Sequence, residues 1–368
     1  MERTPKSSGG FLVDLYKDRN ASDTIIKKIF EFSKDLGEIK LCHVCGTHEH
    51  VITHYGIRAM LPKNVQVVSG PGCPVCVTTQ GEIEAAVKVA EKGAVVTTYG
   101  DMIRVPSKRS LSDAKASGLD IRLVYSINDS INLAISNPNK KIVHFAIGFE
   151  TTCPTTAVAV LNSPDNFYVL SAHRVVPPAM DLLLSSGKIN LSGFIDPGHV
   201  STIIGTKPYE PISQKFHVPQ VICGFEPNDI LMGIYLLLKQ IKEKRAEVEN
   251  EYVRGVRTEG NTKAQKLMEK VFEPCDISWR GFPVIPGSGL SLKSEFSNKD
   301  AYKKFNIEIE DIPEEKGCSC PEVLRAEKIP RECPLFGNIC TPQNPKGPCM
   351  VSREGACYIS FKYEKSFR

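Results

Sequence analysis

The sequence lacks any apolar segment long enough to cross a membrane. Its longest nearly apolar run, ILMGIYLLL, covers only residues 230–238, whereas a membrane-spanning helix needs about 20 apolar residues. Residues 1–20, MERTPKSSGGFLVDLYKDRN, also lack the apolar core of a secretory signal. We therefore expect a cytoplasmic protein with no membrane segment.

An excess of charge of either sign is missing as well. Lysine and arginine together number 46 and aspartate and glutamate 42, which leaves a net charge of +4. No stripe of basic residues with interleaved aromatics is present, so we expect no nucleic-acid partner. Neither a P-loop nor a G-x-G-x-x-G motif occurs, so neither of these nucleotide-binding loops is expected.

Short apolar runs in the first two thirds of the chain have the composition of buried β-strands. They are unbroken rather than alternating, as expected for strands that are covered on both faces. Helical patterns lie between several of them, and this order predicts parallel α/β domains. The predicted strands are residues 65–70, 94–100, 121–127, 141–148, 166–172, 192–196 and 219–224.

Changes in composition suggest where domains begin and end. Residues 1–30 are expected to form an N-terminal extension and 31–119 a first α/β domain, because the stretch VPSKRSLSDAKASG suggests a break near residue 119. A second α/β domain is expected at 120–235. A helical and cysteine-rich domain is expected at 236–368, and residues 228–256 are predicted to form one long amphipathic helix.

Polar or Gly/Pro-rich clusters follow most of the predicted strands. In open parallel sheets, ligands bind beyond the carboxyl ends of the strands. Each cluster could be an ordinary turn, but cysteine, histidine and glutamate recur in them, which favours a shared cleft. The clusters are GPGCPVC, YGDMIRVP, GFETTCP, SAHRVVPP, DPGHVS and CGFEPND.

Cysteine, in contrast, is abundant, since the chain contains 13 cysteines. A reducing cytosol disfavours structural disulfides, so this number points to metal or redox chemistry. Two C-x-x-C pairs, Cys42/Cys45 and Cys73/Cys76, could together bind zinc through four thiolates. The second pair follows a predicted strand and precedes a predicted helix, whose N-terminus lowers thiol pKa values, and this setting is typical of a redox-active pair. That pair could also be buried and unreactive.

The C-terminal region holds six more cysteines, between residues 318 and 357, and no histidine follows His217. Ligation by thiolates alone suits either zinc or an iron–sulfur cluster. Each needs four ligands, so the number of cysteines does not decide between them, and free thiols are a third possibility. The chemistry favours a cluster.

Motifs from about residue 40 to the C-terminus closely resemble, in order, those of the HypD family of [NiFe]-hydrogenase maturation scaffolds. The resemblance implies two α/β domains around a cleft and a third domain with a [4Fe–4S] cluster. It also implies a metallocofactor assembly scaffold with redox activity rather than an ordinary turnover enzyme. The motifs are CGTHEH, GPGCPVC, GFETT, DPGHVS, CGFEP, WRGFPVIPGSGL and CMVSREGAC.

The resemblance also implies roles for individual cysteines. Cys45 matches the cysteine that holds iron during assembly, and Cys73 and Cys76 match the family's redox pair. Cys320 and Cys349 match a second thiol pair near the cluster. The family's cluster spacing, C-x14-C-x6-C-x16-C, selects Cys318, Cys333, Cys340 and Cys357 as cluster ligands.

Four cysteines remain outside this scheme, and one of them, Cys223, begins the motif CGFEP. Cys42 occupies a position that is not usually cysteine in the family and is expected to be incidental. Cys153 and Cys275 have no role that the motifs assign, and we expect them to be small buried residues.

The implied product is an iron that carries two cyanides and one carbon monoxide, Fe(CN)2CO. The implied partners are a HypC-type chaperone, which shares the iron, and a HypE-type cyanide donor. Cyanide nitrogens accept hydrogen bonds, so we expect donors near Cys45 from Thr47, His48 and the N–H of Gly46. His48 could instead bind iron or act as an acid.

Two glutamates at strand ends are further candidates. Glu150 of GFETT and Glu226 of CGFEP could position groups or move protons, or could serve as structural acceptors. Two rival functions also stay open: a cluster-dependent thiol–disulfide oxidoreductase and a zinc-stabilised interaction protein.

Overall fold

The structure, a computed structural model, describes residues 18–314 and 316–364. Helices and strands alternate along most of this chain. The α-helices are α1 (Arg19–Ser33), α2 (Gly46–His54), α3 (Pro74–Val77), α4 (Gln80–Glu91), α5 (Leu111–Ala116), α6 (Ile127–Ser136), α7 (Cys153–Asn162), α8 (Val176–Ser185), α9 (Gly198–Ile204), α10 (Glu210–Phe216), α11 (Pro227–Lys242), α12 (Thr262–Val271), α13 (Ala301–Lys304), α14 (Cys320–Leu324) and α15 (Ala356–Tyr363).

The strands belong to three sheets. Two sheets are parallel, and the third is an antiparallel hairpin of the last two strands. The strands are β1 (Ile39–His43), β2 (Val65–Ser69), β3 (Val95–Tyr99), β4 (Ile121–Val124), β5 (Ile142–Gly148), β6 (Phe167–His173), β7 (Gly193–Pro197), β8 (Gln220–Cys223), β9 (Val248–Asn250), β10 (Phe272–Ser278) and β11 (Val284–Leu292).

The first parallel sheet, sheet A, has the strand order β2-β1-β7-β8-β9. In its register, Leu41 of β1 lies opposite Val67 of β2 on one side and Gly193 of β7 on the other. Helices α1 and α11 pack against each other and help to cover this sheet. From β1 the chain adds β2 on one side, and β7, β8 and β9 later follow on the other, so the direction of winding reverses between β1 and β7.

The second parallel sheet, sheet B, has the order β4-β3-β5-β6. Every residue of β5 is buried, as expected for a central strand that is covered by helices on both faces. The hairpin β10–β11 extends from the edge of β6, where the Ser171 hydroxyl donates to Leu290 O at 2.7 Å. Sheets A and B and the cysteine-rich C-terminal region confirm the predicted α/β class.

The expected domain boundary near residue 119 does not separate the strands of the two parallel sheets. Strands β3 and β4 lie on either side of that boundary and pair with each other in sheet B. Strand β1, from the expected first domain, pairs with β7, from the expected second. Residues 1–17 of the expected N-terminal extension lie outside the described residues.

The single long helix predicted over residues 228–256 is wrong. Helix α11 ends at Lys242, and β9 then pairs with β8 in sheet A. The chain turns at Lys244, which has a left-handed φ of 54°, and Arg245 pairs with Glu243, Glu247 and Glu249. Arg245 and these glutamates therefore form ion pairs within the turn and β9, and not along one face of a helix.

Among the described residues, no helix combines the length and the apolar character that a membrane span requires.

Candidate functional site

Cys45 lies where sheet A reverses its winding. It follows β1 directly, and the neighbouring strand β7 ends with Asp196 and Pro197. In open parallel sheets, the crevice beyond the carboxyl ends of the strands at such a reversal is the usual ligand site. The fold therefore places Cys45 at the position in sheet A that is best suited to hold a ligand.

Cys45 is the N-cap residue of α2 and is only 7% exposed. Burial raises the pKa of its thiol to about 11, with a further rise from Glu354; N–H groups of His48 and Thr47 and the Thr47 hydroxyl oppose this rise. The free thiol is therefore protonated at neutral pH, so a metal would have to displace a proton to bind its sulfur.

Helix α2 is held in place by a buried carboxylate. Glu49 accepts hydrogen bonds from His43 Nε2 at 2.7 Å, from Arg58 Nη2 at 2.6 Å and from the Thr53 hydroxyl at 2.9 Å. Although burial raises it, the pKa of Glu49 stays well below its usual value because Arg58 and His43 stabilise the charged form. This network fixes the helix whose first turn surrounds Cys45.

The ring N–H group of His48 already donates hydrogen bonds within the protein. Its Nε2 lies 3.0 Å from Gly224 O and 3.3 Å from Cys223 O, and since carbonyls only accept, Nε2 carries the hydrogen. Its buried Nδ1 is thus an acceptor, without a hydrogen-bond partner among the described residues. Burial lowers the pKa of His48 to about 3, so the ring is neutral.

The expected donors around Cys45 are therefore fewer than three. The N–H of Gly46 donates to Gly72 O at 3.1 Å, and the ring N–H of His48 donates to backbone carbonyls, although the backbone N–H of His48 is directed toward the Cys45 sulfur. Thr47, which is partly exposed, keeps its hydroxyl and N–H directed toward the sulfur of Cys45.

The loop after β2 packs tightly on Cys45. A Cβ at Gly72 would lie 2.1 Å from the Cys45 nitrogen, and a Cβ at Gly46 would lie 2.4 Å from Glu354 Cβ. Only glycine fits at either position, so Cys45 is held between the β2–α3 loop and the C-terminal region.

Cys73 and Cys76 are joined by a disulfide at the start of α3. The N–H of Cys76 also donates to Cys73 Sγ at 3.2 Å. Because these residues are next to Gly72, the disulfide adjoins the Cys45 loop. The predicted redox pair is thus a disulfide in this structure. Its ability to alternate between disulfide and dithiol stays a prediction.

A small cavity joins the disulfide to the C-terminal region. Its lining includes Gly46 and Gly72 from the Cys45 side, the disulfide itself, and Cys349 and Glu354 from the C-terminal region. The C-terminal segment is anchored here by Asp101, whose Oδ2 accepts from the N–H of Arg353 at 3.1 Å. The disulfide and one thiol of the expected second pair therefore face the same space.

The six cysteines of the C-terminal region form one group. The thiol of Cys320 hydrogen-bonds with those of Cys318, Cys349 and Cys357. A Cβ at Gly347 would lie 2.5 Å from Cys320 Sγ and 2.7 Å from Cys318 Sγ. The sulfurs of Cys333 and Cys340 accept from the N–H groups of Ser319 and Lys346 at 3.4 and 3.3 Å.

The chemistry of this all-sulfur donor set fits an iron–sulfur cluster. In the part of the chain that the structure describes, no three Cys, His, Asp or Glu side chains are arranged to hold one ion. A [4Fe–4S] cluster bonds each cysteine through a different iron, so its ligands surround a volume rather than converge on a point. A zinc ribbon of Cys42, Cys45, Cys73 and Cys76 is not formed, since the last two bond to each other.

Two buried carboxyl groups lie behind the site. Glu150 follows β5 and accepts from the N–H of Val176 at 2.9 Å, and burial raises its pKa to about 7. Burial also raises the pKa of Asp196 well above its usual value, and neither of its carboxyl oxygens has a hydrogen-bond partner among the described residues. Burial raises the pKa of Tyr209 well above its usual value, and the charges of Asp196, Glu150 and Cys45 add to this rise.

The other candidates lie at the start of a helix, inside a strand and in the hairpin. Glu226 is the N-cap residue of α11, and its N–H donates to Asp229 at 2.9 Å. Cys42 is buried in β1, where a Cβ at Gly70 would lie 2.8 Å from its sulfur. Cys153 is buried as predicted and donates to Phe149 O at 3.1 Å, whereas the prediction that Cys275 is buried is wrong: it is partly exposed, because it faces Gly289 across the hairpin.

Three residues near the site were not predicted individually. His199 stacks on Phe225 with 3.8 Å between ring centroids, and Phe225 in turn contacts the His48 ring. Asp196 and His199 belong to DPGHVS and Glu354 to SREGAC, so both motifs were noted without a role for these side chains. Of these, Glu354 acts on the Cys45 thiol and Asp196 lies in β7 beside β1, contacts that the motifs alone do not reveal.

A comparison with protein-family models identifies the chain. The HypD model, described as "Hydrogenase formation hypA family", matches residues 20–364. The chain belongs to the HypD family. The matched range contains Cys45, the Cys73–Cys76 disulfide and all six cysteines of the C-terminal region.

Relatives within the HypD family are similar over nearly their whole length. The chain is 50% identical to a putative hydrogenase expression/formation protein of Methanocaldococcus jannaschii, over 95% of this chain and 98% of the relative. It is 44% identical to hydrogenase maturation factor HypD of Cupriavidus necator, over 87% and 88%. It is 41% identical to hydrogenase maturation factor HypD of Escherichia coli, over 89% and 90%.

Proposed function

We propose that this hydrogenase maturation factor is the scaffold on which Fe(CN)2CO is assembled as cargo, with the iron bound to Cys45 and shared with a HypC-type chaperone. The observation that carries the proposal is the position of Cys45, at the reversal of sheet A and beside the Cys73–Cys76 disulfide. A ligand site and a two-electron redox group are thereby adjacent.

Cys45 supplies a soft thiolate, which is a suitable anchor for iron. Its raised pKa means that iron binding releases a proton, so retention of the cargo is expected to strengthen as pH rises. Gly46 and Gly72 let the backbone approach closely, and Thr47 offers a donor to the sulfur or to a cyanide nitrogen. The Nδ1 atom of His48 is an acceptor, so it could accept a hydrogen bond from a protonated group or bind a metal.

The disulfide pair would provide the electrons for cyanide release. A thiocyanate on a HypE-type donor needs two electrons to give a thiol and cyanide. The dithiol of Cys73 and Cys76 supplies both electrons and two protons and becomes the disulfide: one proton goes to the donor's sulfur, and the other accompanies cyanide.

The disulfide must then be reduced again, and Cys349 is placed to do this. A hydrogen bond from Cys320 lowers the pKa of the Cys349 thiol and so favours its thiolate form, and Cys349 lines the same cavity as the disulfide. Attack of this thiolate on the disulfide gives a mixed disulfide, which Cys320 resolves. The products are the Cys73/Cys76 dithiol and a Cys320–Cys349 disulfide, with no net change in electrons or sulfur bonds.

A [4Fe–4S] cluster on Cys318, Cys333, Cys340 and Cys357 would, when bound, supply electrons singly to the Cys320–Cys349 disulfide. The contacts of Cys320 with Cys318 and Cys357 support this arrangement. Glu150, half protonated near pH 7, could exchange protons with the interior during these steps. The thiol chemistry suits a reducing cytoplasm.

The test is an infrared spectrum of the protein co-purified with its HypC-type partner under anaerobic conditions. Cyanide and carbonyl stretching bands are expected in the complex. Their absence from complexes that are fully loaded with cluster would contradict the proposal.

The disulfide also supports a second function, that of a cluster-dependent thiol–disulfide oxidoreductase. Such a protein would need Cys73 and Cys76 but not Cys45. If the Cys45→Ser protein reduces the partner's thiocyanate at the wild-type rate and no infrared bands are found, the second function is favoured. Metal analysis and a visible absorbance that bleaches on reduction distinguish both functions from a zinc-stabilised interaction protein.

A further inference from the structure

The motif WRGFPVIPGSGL lines a cavity that the proposed assembly of cargo does not use. This hairpin cavity has a volume of about 690 Å³, which lies in the range of natural ligand sites. Residues 276–284 of the β10–β11 hairpin line one side and residues 309–314 line the other. Thr79, Gly81 and Glu82, at the start of α4, complete the lining.

The wall formed by residues 309–314 contains no helix or strand but is fixed to α4. Gln80 Nε2 donates to Pro313 O at 2.7 Å. A Cβ at Gly81 would overlap Glu310 O, so the backbone of this wall lies directly against the helix. The cavity is therefore formed in advance, and a ligand would not have to order its walls.

The charged side chains in the lining are mostly carboxylates. Of six charged residues, five are acidic and Arg280 is the only cation. Arg280 is buried and already donates to Glu314 at 2.8 Å and to Pro106 O at 3.2 Å. Asp276 and Asp311, in contrast, are exposed at the rim. The hairpin cavity thus has a negative net charge, which favours a cationic ligand.

A buried carboxylate in the lining has a free acceptor. Glu82 is 1% exposed, and its Oε2 accepts from Arg174 Nη2 and from the N–H of Thr79, both at 2.7 Å. Its Oε1 has no hydrogen-bond partner among the described residues. A buried acceptor without a donor costs free energy. An N–H donor from a ligand in the cavity would remove that cost.

Apolar side chains accompany the carboxylates on both walls. Val284 of the hairpin is 55% exposed and Ile309 of the opposite wall is 47% exposed, and Ile277 and Ile312 also line the cavity. Arginine and lysine pack their aliphatic stems on such surfaces while their charged heads reach polar partners. A small inorganic cation would leave these apolar groups uncovered. The walls therefore favour basic side chains of a polypeptide.

We propose that the hairpin cavity is a docking site for an extended segment of a partner protein that carries arginine or lysine beside apolar residues. The basic heads pair with Asp276 and Asp311, one of them donates to Glu82, and apolar side chains of the segment cover the walls. The N–H of Arg280 donates to Val77 O, at the end of α3, at 2.8 Å. A docked partner would therefore lie next to the helix that carries the disulfide. The inference does not depend on the proposed iron and cyanide chemistry.

The test is the fluorescence anisotropy of a dye-labelled hexapeptide of alternating valine and arginine, titrated with the anaerobically purified full chain. The wild type should bind it, and the same peptide with glutamate in place of arginine should not bind. The double variant Asp276→Asn/Asp311→Asn should bind about fivefold more weakly, since it removes two rim charges. Both positions are exposed, and an asparagine at 276 can still accept from the N–H of Gly287.

Asp35→Asn is the matched control, because Asp35 is an exposed carboxylate that lies outside the cavity lining and pairs with Lys242. Its affinity for the peptide should equal that of the wild type. An equal loss in this control and in the double variant would show attraction to the whole surface and overturn the inference. A wild-type chain that binds neither peptide, or both equally, overturns it as well.

Val284→Asp separates docking in the cavity from attraction between opposite charges. This variant removes an apolar contact and adds a negative charge at the wall. Docking predicts weaker binding of the arginine peptide, whereas charge attraction alone predicts tighter binding, which would overturn the inference. Free arginine amide is the competitor: if it displaces the peptide at equal concentration, the cavity takes a small cation and not a protein segment.

Discussion

The backbone of Gly72 lies directly against that of Cys45. A Cβ at Gly72 would be 2.1 Å from the Cys45 nitrogen, and Gly72 O accepts the N–H of Gly46 at 3.1 Å. This contact joins the loop that carries the redox disulfide to the residue that we assign as the iron anchor.

Gly72→Ala should displace Cys45. Because the added Cβ meets backbone atoms, which cannot move as a side chain can, we expect a loss of stability of about 1–3 kcal/mol or more and weak iron retention. The measurements are the thermal midpoint and the iron content of the complex with the HypC-type partner. Gly100→Ala is the control, since a Cβ there meets nothing within 4 Å; equal losses in both variants would refute the steric argument.

Replacing any of the four assigned cluster ligands by alanine should remove most iron and sulfide. Ligation should supply much of the folding energy of this region, since its helices are short, so stability should fall as well. Iron and sulfide analysis after anaerobic purification checks this. Cys320→Ala should keep the cluster; if Cys320→Ala loses it and Cys318→Ala retains it, the ligand assignment is reversed. The assigned ligands are Cys318, Cys333, Cys340 and Cys357.

Cys73 and Cys76 should alternate between disulfide and dithiol. Alkylation under native conditions followed by mass spectrometry should show two thiols in the segment 65–88 that are modified only after reduction. Cys42, buried in β1, should not change state. A pair that stays oxidised while cyanide transfer continues would exclude the two-electron role.

Glu150 should make stability fall as pH rises. Burial raises its pKa to about 7 in the folded protein, above the ordinary value of 4.5, so the native state binds more protons than the unfolded state between these pH values. The destabilisation is absent below about pH 4.5 and fully developed above about pH 7. The thermal midpoint of wild type should therefore drop between pH 5.5 and pH 8 by more than that of Glu150→Gln; parallel pH curves for the two proteins would contradict the shift.

Seven of the nine strands that the structure describes in the parallel sheets were predicted, because strands covered on both faces have unbroken apolar runs. Strand β1, Ile39–His43, was missed, since Lys40 and His43 interrupt its short apolar run. Residues 142–148, IVHFAIG, are buried throughout and stand out in the sequence. Strand β9 was missed because Val248–Asn250 is short and lies among charged residues. The hairpin β10–β11 was missed because each of its strands contains proline, which is rare in strand interiors.

The site was predictable as a set of motifs but not as a hydrogen-bond network. CGTHEH indicated Cys45 and its neighbours, yet the partners that occupy the N–H groups of Gly46 and His48 are Gly72 and the 223–224 carbonyls. Such partners are set by strand order, since Gly72 follows β2 on one side of β1, and residues 223–224 end β8, which lies beyond β7 on the other side. Local spacing cannot reveal contacts between residues that are far apart in the sequence.

The most direct test of the account is the infrared spectrum of the HypC-type complex formed with Cys45→Ser and, in parallel, with Cys42→Ala. Cys45→Ser should fold and keep its cluster but lose the cyanide and carbonyl bands, because the soft anchor at the reversal of sheet A is gone. Cys42→Ala should keep every band, since its sulfur is buried against Gly70. Bands that persist in Cys45→Ser and vanish in Cys42→Ala would contradict the assignment of Cys45 as the iron anchor.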